Sequence, residues 1–344
     1  MTTVTIVLLA TAALFLVGMV VTGLIGTRPN GNILLGVSLP NHALEDEAVI
    51  SIVKQYTRVY MLNVFLCVLL VIPVVFIGDE NMATAYFMLW CLVTLFLLVR
   101  QTEKCFARIY DLKVENEWWV GPQGVVAIDT SVSRLKDTFM VSARWFFLPL
   151  AVLGALIVIE MPHGFEMLFW PVLGLGVLAM HCVIFFMIGK VKSKTYSEDT
   201  AVNLHLNHMF KRAWSRCMVI MAVLWCMFCV LCLLFTRAEN TIAMITTAFV
   251  LSFAILVVIV LTHDYIRTQR NRLLQPVTEQ INRDEDQYWI GGIFYNNPND
   301  VSIFVEKRIG IGFTMNIGTP VGKLILLGVI IFVVAAFALP FWLI

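Results

Sequence analysis

The chain has 344 residues, of which 60% are hydrophobic and 14% are charged, and its mean hydropathy is +0.86. One soluble core cannot bury this much apolar surface, and the excess lies in runs that approach the roughly 20 residues needed to span a bilayer. The net charge of +1 gives no bulk electrostatic reason for nucleic-acid binding. The composition therefore excludes an ordinary soluble domain. It predicts an all-α polytopic membrane protein whose first partner is the lipid bilayer, with no direct nucleic acid binding.

Eight apolar runs are predicted to cross the membrane. In chain order they are residues 3–26, 60–78, 82–99, 145–160, 167–189, 217–236, 241–262 and 324–344. The fourth run is short, yet without it the basic residues of 190–216 would lie on the outer side. The first run follows no basic segment and has no small-residue cleavage site, which predicts an uncleaved membrane anchor.

The distribution of basic residues predicts the topology. Of the 24 Lys and Arg residues, 23 fall in four segments that alternate with the spans, and Arg237 is the exception. Basic loops stay on the cytoplasmic side of a membrane, so both termini are expected to be extracellular. The predicted cytoplasmic segments are residues 27–59, 100–144, 190–216 and 263–323.

The chain also contains an internal similarity. Residues 117–121 (EWWVG) are similar to residues 287–291 (QYWIG), and the acidic stretch 45–49 is similar to 198–202. The common order of these matches predicts a tandem duplication of a four-span unit. Because each unit has an even number of spans, the repeats would be parallel and related by an axis along the membrane normal. The predicted repeats are residues 1–160 and 161–344.

The cytoplasmic segments differ in their predicted structure. Residues 45–60 and 198–216 place apolar side chains at helical spacing, and Ser197 is expected to cap the second of these helices. Residues 120–130 and 288–318 instead contain Gly, Pro, Asn and aromatic residues in patterns typical of turns and short strands. We therefore expect small cytoplasmic lobes that contain short strands.

Few residues in or near the spans carry reactive chemistry. The span interiors contain no Asp, Glu, Lys or Arg, which disfavours ion coupling through buried carboxylates. His181 either bonds to a carbonyl on a neighbouring helix or belongs to a proton or ligand path. Outside, Glu160, His163 and Glu166 lie within seven residues. This loop is either a simple polar turn or a site that recognises a cationic or peptide ligand.

No metal or cofactor site is predicted. Cys226, Cys229 and Cys232 have a spacing seen in metal sites, but within a span free cysteine behaves as a small apolar residue. His205 and His208 lack an evident third ligand. The sequence has no Walker, dinucleotide or hydrolase motif. We therefore expect no metal, no cofactor and no catalytic residue.

The most specific motif lies near the C terminus. It reads WIGGIFYNNPND over residues 289–300 and FVEKRIGIGFTMN over residues 304–316. This run resembles uncharacterised Gram-positive membrane proteins related to the Sdp toxin-immunity (SdpI-like) family. Its candidate ligand- or partner-binding residues are Trp289, Tyr295, Asn297, Asp300, Lys307, Arg308 and Asn316. Their polar side chains serve either the fold of a lobe or the binding of a partner.

The resemblance implies a bacterial plasma-membrane protein that is not an enzyme. Some relatives protect their host from a secreted toxic peptide and hold a cytoplasmic repressor at the membrane. On that basis we expect peptide-toxin immunity or envelope-stress sensing, with a secreted peptide outside and a cytoplasmic protein as partners. The alternatives are a transporter with a substrate path between the two repeats and, third, an intramembrane enzyme.

Overall fold

A computed structural model of the protein describes residues 2–120, 139–197, 199–274 and 284–342. Within these ranges, each of the eight predicted spans overlaps an α-helix. The helices are α1 (Thr3–Ile25), α2 (Asn41–Leu44), α3 (Glu47–Val71), α4 (Glu80–Glu115), α5 (Phe147–Glu160), α6 (Phe165–Gly189), α7 (Thr200–Arg237), α8 (Thr241–Leu274) and α9 (Pro320–Trp342). Short 3₁₀ turns flank α5 and follow α3.

The outer surfaces of these helices are apolar. Phe65 on α3 and Phe96 on α4, for example, are 57% and 63% exposed. Among the described residues, seven helical segments are long and apolar enough to cross a membrane, with α5 counted together with its flanking 3₁₀ turns, and α9 adds a further apolar helix. Such continuous exposed apolar surface requires lipid around it. The all-α class and the multi-pass arrangement of apolar helices are therefore confirmed.

The helices pack as two units. The first contains the described parts of Met1–Ala127 and Val277–Ile344, and the second contains those of Ile128–Pro276. The first unit thus holds α1 to α4 with α9, and the second holds α5 to α8. Each unit combines three spans of one predicted repeat with one span of the other, so the packing boundary does not fall at residue 160. The duplication itself stays a prediction.

Three two-stranded antiparallel hairpins lie in the first unit. The two hairpins within residues 288–318 confirm the short strands predicted there, whereas the hairpin at residues 33–38 was not predicted. The strand predicted within 120–130 falls almost entirely outside the described residues. The pairs are β1 (Ile33–Leu34) with β2 (Val37–Ser38), β3 (Trp289–Ile290) with β4 (Phe294–Tyr295), and β5 (Phe304–Glu306) with β6 (Phe313–Met315).

The first unit has a hydrophobic core where the hairpins meet the helix ends. Tyr56 and Tyr60 of α3 and Ile109 of α4 are almost fully buried in it, together with Trp289 and Tyr295 of the hairpins. The Tyr60 hydroxyl donates a hydrogen bond of 2.7 Å to the carbonyl of Met19 in α1. The last loop of the chain is therefore packed onto helices from its first third.

Acidic caps define where the long helices begin. The Asp46 carboxylate accepts from the Ala48 N–H at 2.8 Å, and α3 then continues unbroken from the predicted amphipathic stretch into its span. In α7 the cap is Asp199, which accepts from the Ala201 N–H at 2.8 Å. The predicted Ser197 cap is wrong. Its hydroxyl accepts instead from the Asp199 N–H, because Asp199 directly precedes the first turn.

Two buried asparagines of α7 hold the connection from α6. The Asn203 Oδ1 atom accepts from the N–H groups of Tyr196 and Ser197 at 2.7 and 3.1 Å. The Asn207 side chain accepts from the Lys194 N–H at 2.9 Å and donates to the Lys194 carbonyl at 2.7 Å. These bonds satisfy loop backbone groups that burial would otherwise leave unpaired. The start of α7 is therefore rigidly placed in the second unit.

Thiol labelling tests the predicted topology. In a cysteine-free background, we expect Asn299→Cys to be protected from an impermeant maleimide in intact cells and Ala238→Cys to react. Both residues are exposed in the structure, so only membrane sidedness should separate them. Labelling of Asn299→Cys before permeabilisation would overturn the assignment of the basic segments to the cytoplasm.

Candidate functional site

The C-terminal motif forms most of a small lobe on the first unit, which we call the signature lobe (residues 284–319). Its two hairpins are joined by Asn316, which is fully buried. The Asn316 Oδ1 atom accepts from the Asn297 N–H at 3.0 Å, and its Nδ2 group donates to the carbonyls of Asn297 and Asp300 at 2.8 and 2.9 Å. One carboxamide thus satisfies the backbone of a neighbouring turn. The structure places Asn316 in the fold of the lobe.

The turn opposite Asn316 is stabilised by its own side chains. The Asp300 carboxylate accepts from the Ser302 N–H at 2.9 Å and from the Tyr295 hydroxyl at 3.1 Å. The Asn297 Oδ1 atom accepts from the Asn299 N–H at 3.0 Å, which is an Asx turn. Burial raises the pKa of Tyr295, so its hydroxyl keeps the proton that it donates. Tyr295, Asn297 and Asp300 therefore form one hydrogen-bonded group with Asn316.

A buried charge cluster attaches the lobe to the helices. The Asp286 carboxylate accepts from the Lys113 ammonium group at 2.6 Å and also from the Arg308 guanidinium. It accepts further from the Ser38 N–H and hydroxyl at 3.0 and 2.9 Å. Lys113 forms a second ion pair with Asp284 at 2.5 Å, although that contact lacks hydrogen-bond geometry. Two cations and two anions balance, as burial of charge requires.

The cluster joins three distant parts of the chain. Lys113 lies in the last turn of α4, where a cation also favours the helix dipole. Ser38 belongs to β2, and Asp286 and Arg308 belong to the signature lobe. Arg308 additionally donates to the carbonyl of Gly36 at 3.0 Å. The lobe is thus bonded to both the end of α4 and the β1–β2 hairpin.

Two glycines allow the hairpins to approach each other. Gly36 and Gly292 have positive φ angles of 88° and 72°. A Cβ atom at either position would meet Ile309, at 3.0 and 2.6 Å respectively, and would also crowd Phe106. A side chain at either position would strain the left-handed backbone and would require Ile309 or Phe106 to move.

Trp289 and Lys307 occupy different positions relative to the cluster. The Trp289 ring lies 5.2 Å from the Arg308 guanidinium and is 6% exposed. Lys307 has no place in the cluster, and burial lowers the pKa of its ammonium group. The adjacent pair Lys307 and Arg308 therefore does not act as one basic patch, because Arg308 is committed to Asp286.

The two tryptophans matched in the predicted repeat both lie beside a cluster cation. Trp119 is 5.5 Å from the Lys113 ammonium group, much as Trp289 lies beside Arg308. Their burial differs, because Trp119 is 40% exposed. The shared cation contact agrees with the repeat without testing it.

The candidate loop at residues 160–166 takes part in an ion pair. The Arg237 guanidinium donates to both Glu160 oxygens at 2.7 Å, and the Glu160 side chain is 1% exposed. The His163 Nδ1 atom lies 3.8 Å from the same carboxylate, and Glu166 lies in the first turn of α6. Arg237, the one basic residue outside the four segments, thus has an acidic partner. The structure brings Glu160 and His163 together around it.

His181 is buried within α6. Its Nδ1 atom lies 2.8 Å from the Val177 carbonyl of the same helix. Of the two alternatives for His181, the first places the carbonyl on a neighbouring helix, whereas the carbonyl that Nδ1 contacts lies four residues earlier in the same helix. The role in a proton or ligand path stays a prediction.

The residues that sequence reasoning missed are Ser38, Lys113, Asp284 and Asp286. One signal was available, since Lys113 interrupts the apolar face at the end of a long helix. Its partners lie up to 173 residues away, and nothing local identifies them. Among the described residues, no group of three or more His, Cys, Asp or Glu side chains is placed to hold a metal ion.

Comparison with known proteins adds one match. A family of unknown function, DUF5808, matches residues 298–323, which include the β5–β6 hairpin and the start of α9. No curated protein matches the chain. No solved structure matches it either. The matched segment carries Asp300, Arg308 and Asn316, so it coincides with the part of the lobe that holds itself together and binds Asp286. The resemblance to the Sdp family stays a prediction.

Removal of the central carboxylate tests the cluster. We expect Asp286→Asn to destabilise the lobe by about 3 kcal/mol, because the buried Arg308 loses its counter-charge and Lys113 keeps only Asp284. The measurement is the melting temperature in detergent together with hydrogen exchange of the lobe amides. Asp111→Asn is the matched control, since Asp111 is an exposed acid in the last turns of α4, close in sequence to Lys113. If the lobe amides exchange hydrogen equally slowly in Asp286→Asn and in the wild-type chain, Asp286 does not stabilise the lobe.

The same carboxylate makes stability depend on pH. Burial raises the pKa of Asp286, but the charges of Arg308 and Lys113 outweigh burial and hold this pKa below its usual 3.8. A carboxylate with a lowered pKa stabilises the fold fully above its unfolded-state pKa and loses that effect as pH falls through the folded-state value. We expect the melting-temperature difference between wild type and Asp286→Asn to be constant above about pH 5 and to shrink below about pH 4. A difference that widens on acidification would contradict this assignment.

Proposed function

We propose that the protein is a non-enzymatic membrane protein of peptide-toxin immunity or envelope-stress sensing that signals through the signature lobe to a cytoplasmic protein. The attachment of the lobe carries this proposal. Asp286 is bonded to Lys113 at the end of α4 and to Ser38 of β2. A shift of α4 on the membrane side would therefore move the lobe through a buried bond rather than through a loose linker.

The lobe also offers a surface for a partner. Ile290 and Phe294 are direct cross-strand neighbours in the β3–β4 hairpin, and they are 51% and 38% exposed. A pair of exposed apolar side chains within a polar lobe is typical of a protein contact. Asn297 and Asn316 serve the fold of the lobe instead. We assign partner binding to the hairpin pair.

The sequence resemblance to the Sdp immunity family supplies the class of stimulus. A secreted peptide that perturbs the membrane would act on the spans, and the buried connection through Lys113 offers a route from α4 to the lobe. The proposal requires no cofactor.

A deletion strain tests this function. We expect deletion to sensitise the host to peptides secreted by itself or its neighbours, and expression of the wild-type chain to restore resistance. Ile290→Ser with Phe294→Ser should reach wild-type membrane levels yet fail to restore it, because the partner surface is lost. Resistance is measured as survival in conditioned medium.

Val301→Ser is the matched control, since Val301 is 94% exposed in another turn of the same lobe. It should restore resistance fully. Unchanged survival of the deletion strain would refute the immunity function. A changed uptake of a small solute in that strain would instead favour a transporter.

A further inference from the structure

A basic face runs along the first half of α7 in the second unit. His205, His208, Arg212 and Arg216 follow one another at intervals of three or four residues, which places them on one side of the helix. All four line a cavity of about 560 Å³ between α7 and α8. The cavity therefore concentrates basic groups at the end of the unit predicted to be cytoplasmic.

The other walls of this cavity are less polar. Leu261, Thr262 and Tyr265 of α8 face the basic residues, and Cys217 and Ile220 of α7 close the end nearer the predicted span. Tyr265 is 51% exposed, a position typical of an aromatic ring at the membrane interface. The cavity thus changes from basic to apolar along the helix axis.

The two arginines of the cavity lack an acidic partner. Arg212 and Arg216 are exposed, and the structure pairs neither guanidinium with a carboxylate of the described residues. This differs from Arg237 and Arg308, which are both held by acids. Two guanidinium groups one turn apart form a fork suited to phosphate oxygens, which they can bind through paired hydrogen bonds.

Exposed apolar side chains continue the cavity towards the bilayer. Those of α7 are spaced three or four residues apart, and those of α8 are spaced four apart, so each series forms a stripe. The stripes are Ile220, Val223 and Met227 on α7, and Leu261, Val257 and Phe253 on α8. A ligand that matches both the basic cavity and the apolar stripes has an anionic head and an apolar tail.

We propose that this groove binds an anionic phospholipid, with its phosphate on Arg212 and Arg216 and its acyl chains along the two apolar stripes. Basic pockets between membrane helices recognise such headgroups by the same combination of charge and depth. The site is independent of the signature lobe and of the proposed function. A lipid there would brace α7 against α8 in the second unit.

Native mass spectrometry of the full chain in detergent measures the binding. We expect phosphatidylglycerol to bind roughly 25-fold more tightly than phosphatidylcholine, since each basic residue near the headgroup contributes about fivefold. Arg212→Gln with Arg216→Gln should abolish that preference. Lys54→Gln with Arg58→Gln is the matched control, because it removes an exposed basic pair one turn apart on α3 and should retain the preference.

A second measurement distinguishes binding of a phospholipid from binding of free phosphate. Inorganic phosphate should neither raise the melting temperature nor displace phosphatidylglycerol, because it cannot use the apolar stripes. Equal binding of phosphatidylglycerol and phosphatidylcholine by the wild-type chain would overturn the proposal. So would a preference that survives loss of both arginines, or displacement of the lipid by inorganic phosphate. If the double Gln variant is poorly folded, the variant Arg212→Lys with Arg216→Lys provides the test. It keeps the positive charges but should bind phosphatidylglycerol more weakly than the wild-type chain.

Discussion

The burial of Asp286 between two cations is the constraint on which the signature lobe depends. Residues 284–319 contain only short strands, and strand pairs of this size are not stable alone. A buried carboxylate is costly unless it is paired, so Lys113 and Arg308 must both be in place before the lobe can close. The requirement ties the end of α4, the β1–β2 hairpin and the lobe into one assembly.

The charge cluster and the hydrogen bonds of the lobe give most polar residues of the C-terminal motif a structural role. Asn297, Asp300 and Asn316 satisfy backbone groups of the two hairpins, and Arg308 completes the charge cluster. Substituting Lys307 and Arg308 together would therefore disturb the fold before it tested any docking role. Under the proposed function, the partner surface is the exposed apolar pair Ile290 and Phe294 on the β3–β4 hairpin. The segment matched by the family of unknown function is thus mainly a structural element that presents a neighbouring surface.

The arginines of this protein lie in two kinds of environment, either paired with an acid or without one. Arg308 is buried with Asp286, and Arg237 is bound by both oxygens of Glu160 at the opposite end of its helix from the basic face. Arg212 and Arg216 instead open into a groove without an acid beside them. Paired guanidinium groups hold elements together, whereas unpaired ones on a membrane protein attract anions from the surrounding lipid. The proposed lipid site therefore lies in the second unit, where this basic pair adjoins a groove.

The sequence by itself determined the helices, because membrane spans depend on hydropathy within about 20 neighbouring residues. The strands in the last loop and the acidic start of α3 were also predictable, because turn residues and helix caps act within a few neighbouring residues. The choice of Asp199 over Ser197 as a cap depended on where the first turn of α7 began. Only the tertiary structure decided the charge cluster. The bond from Ser38 to Asp286 joins residues 248 positions apart, and sequence pattern carries no information on which buried ions will meet. The same is true of the packing units, since no local periodicity shows that the last span belongs with the first three.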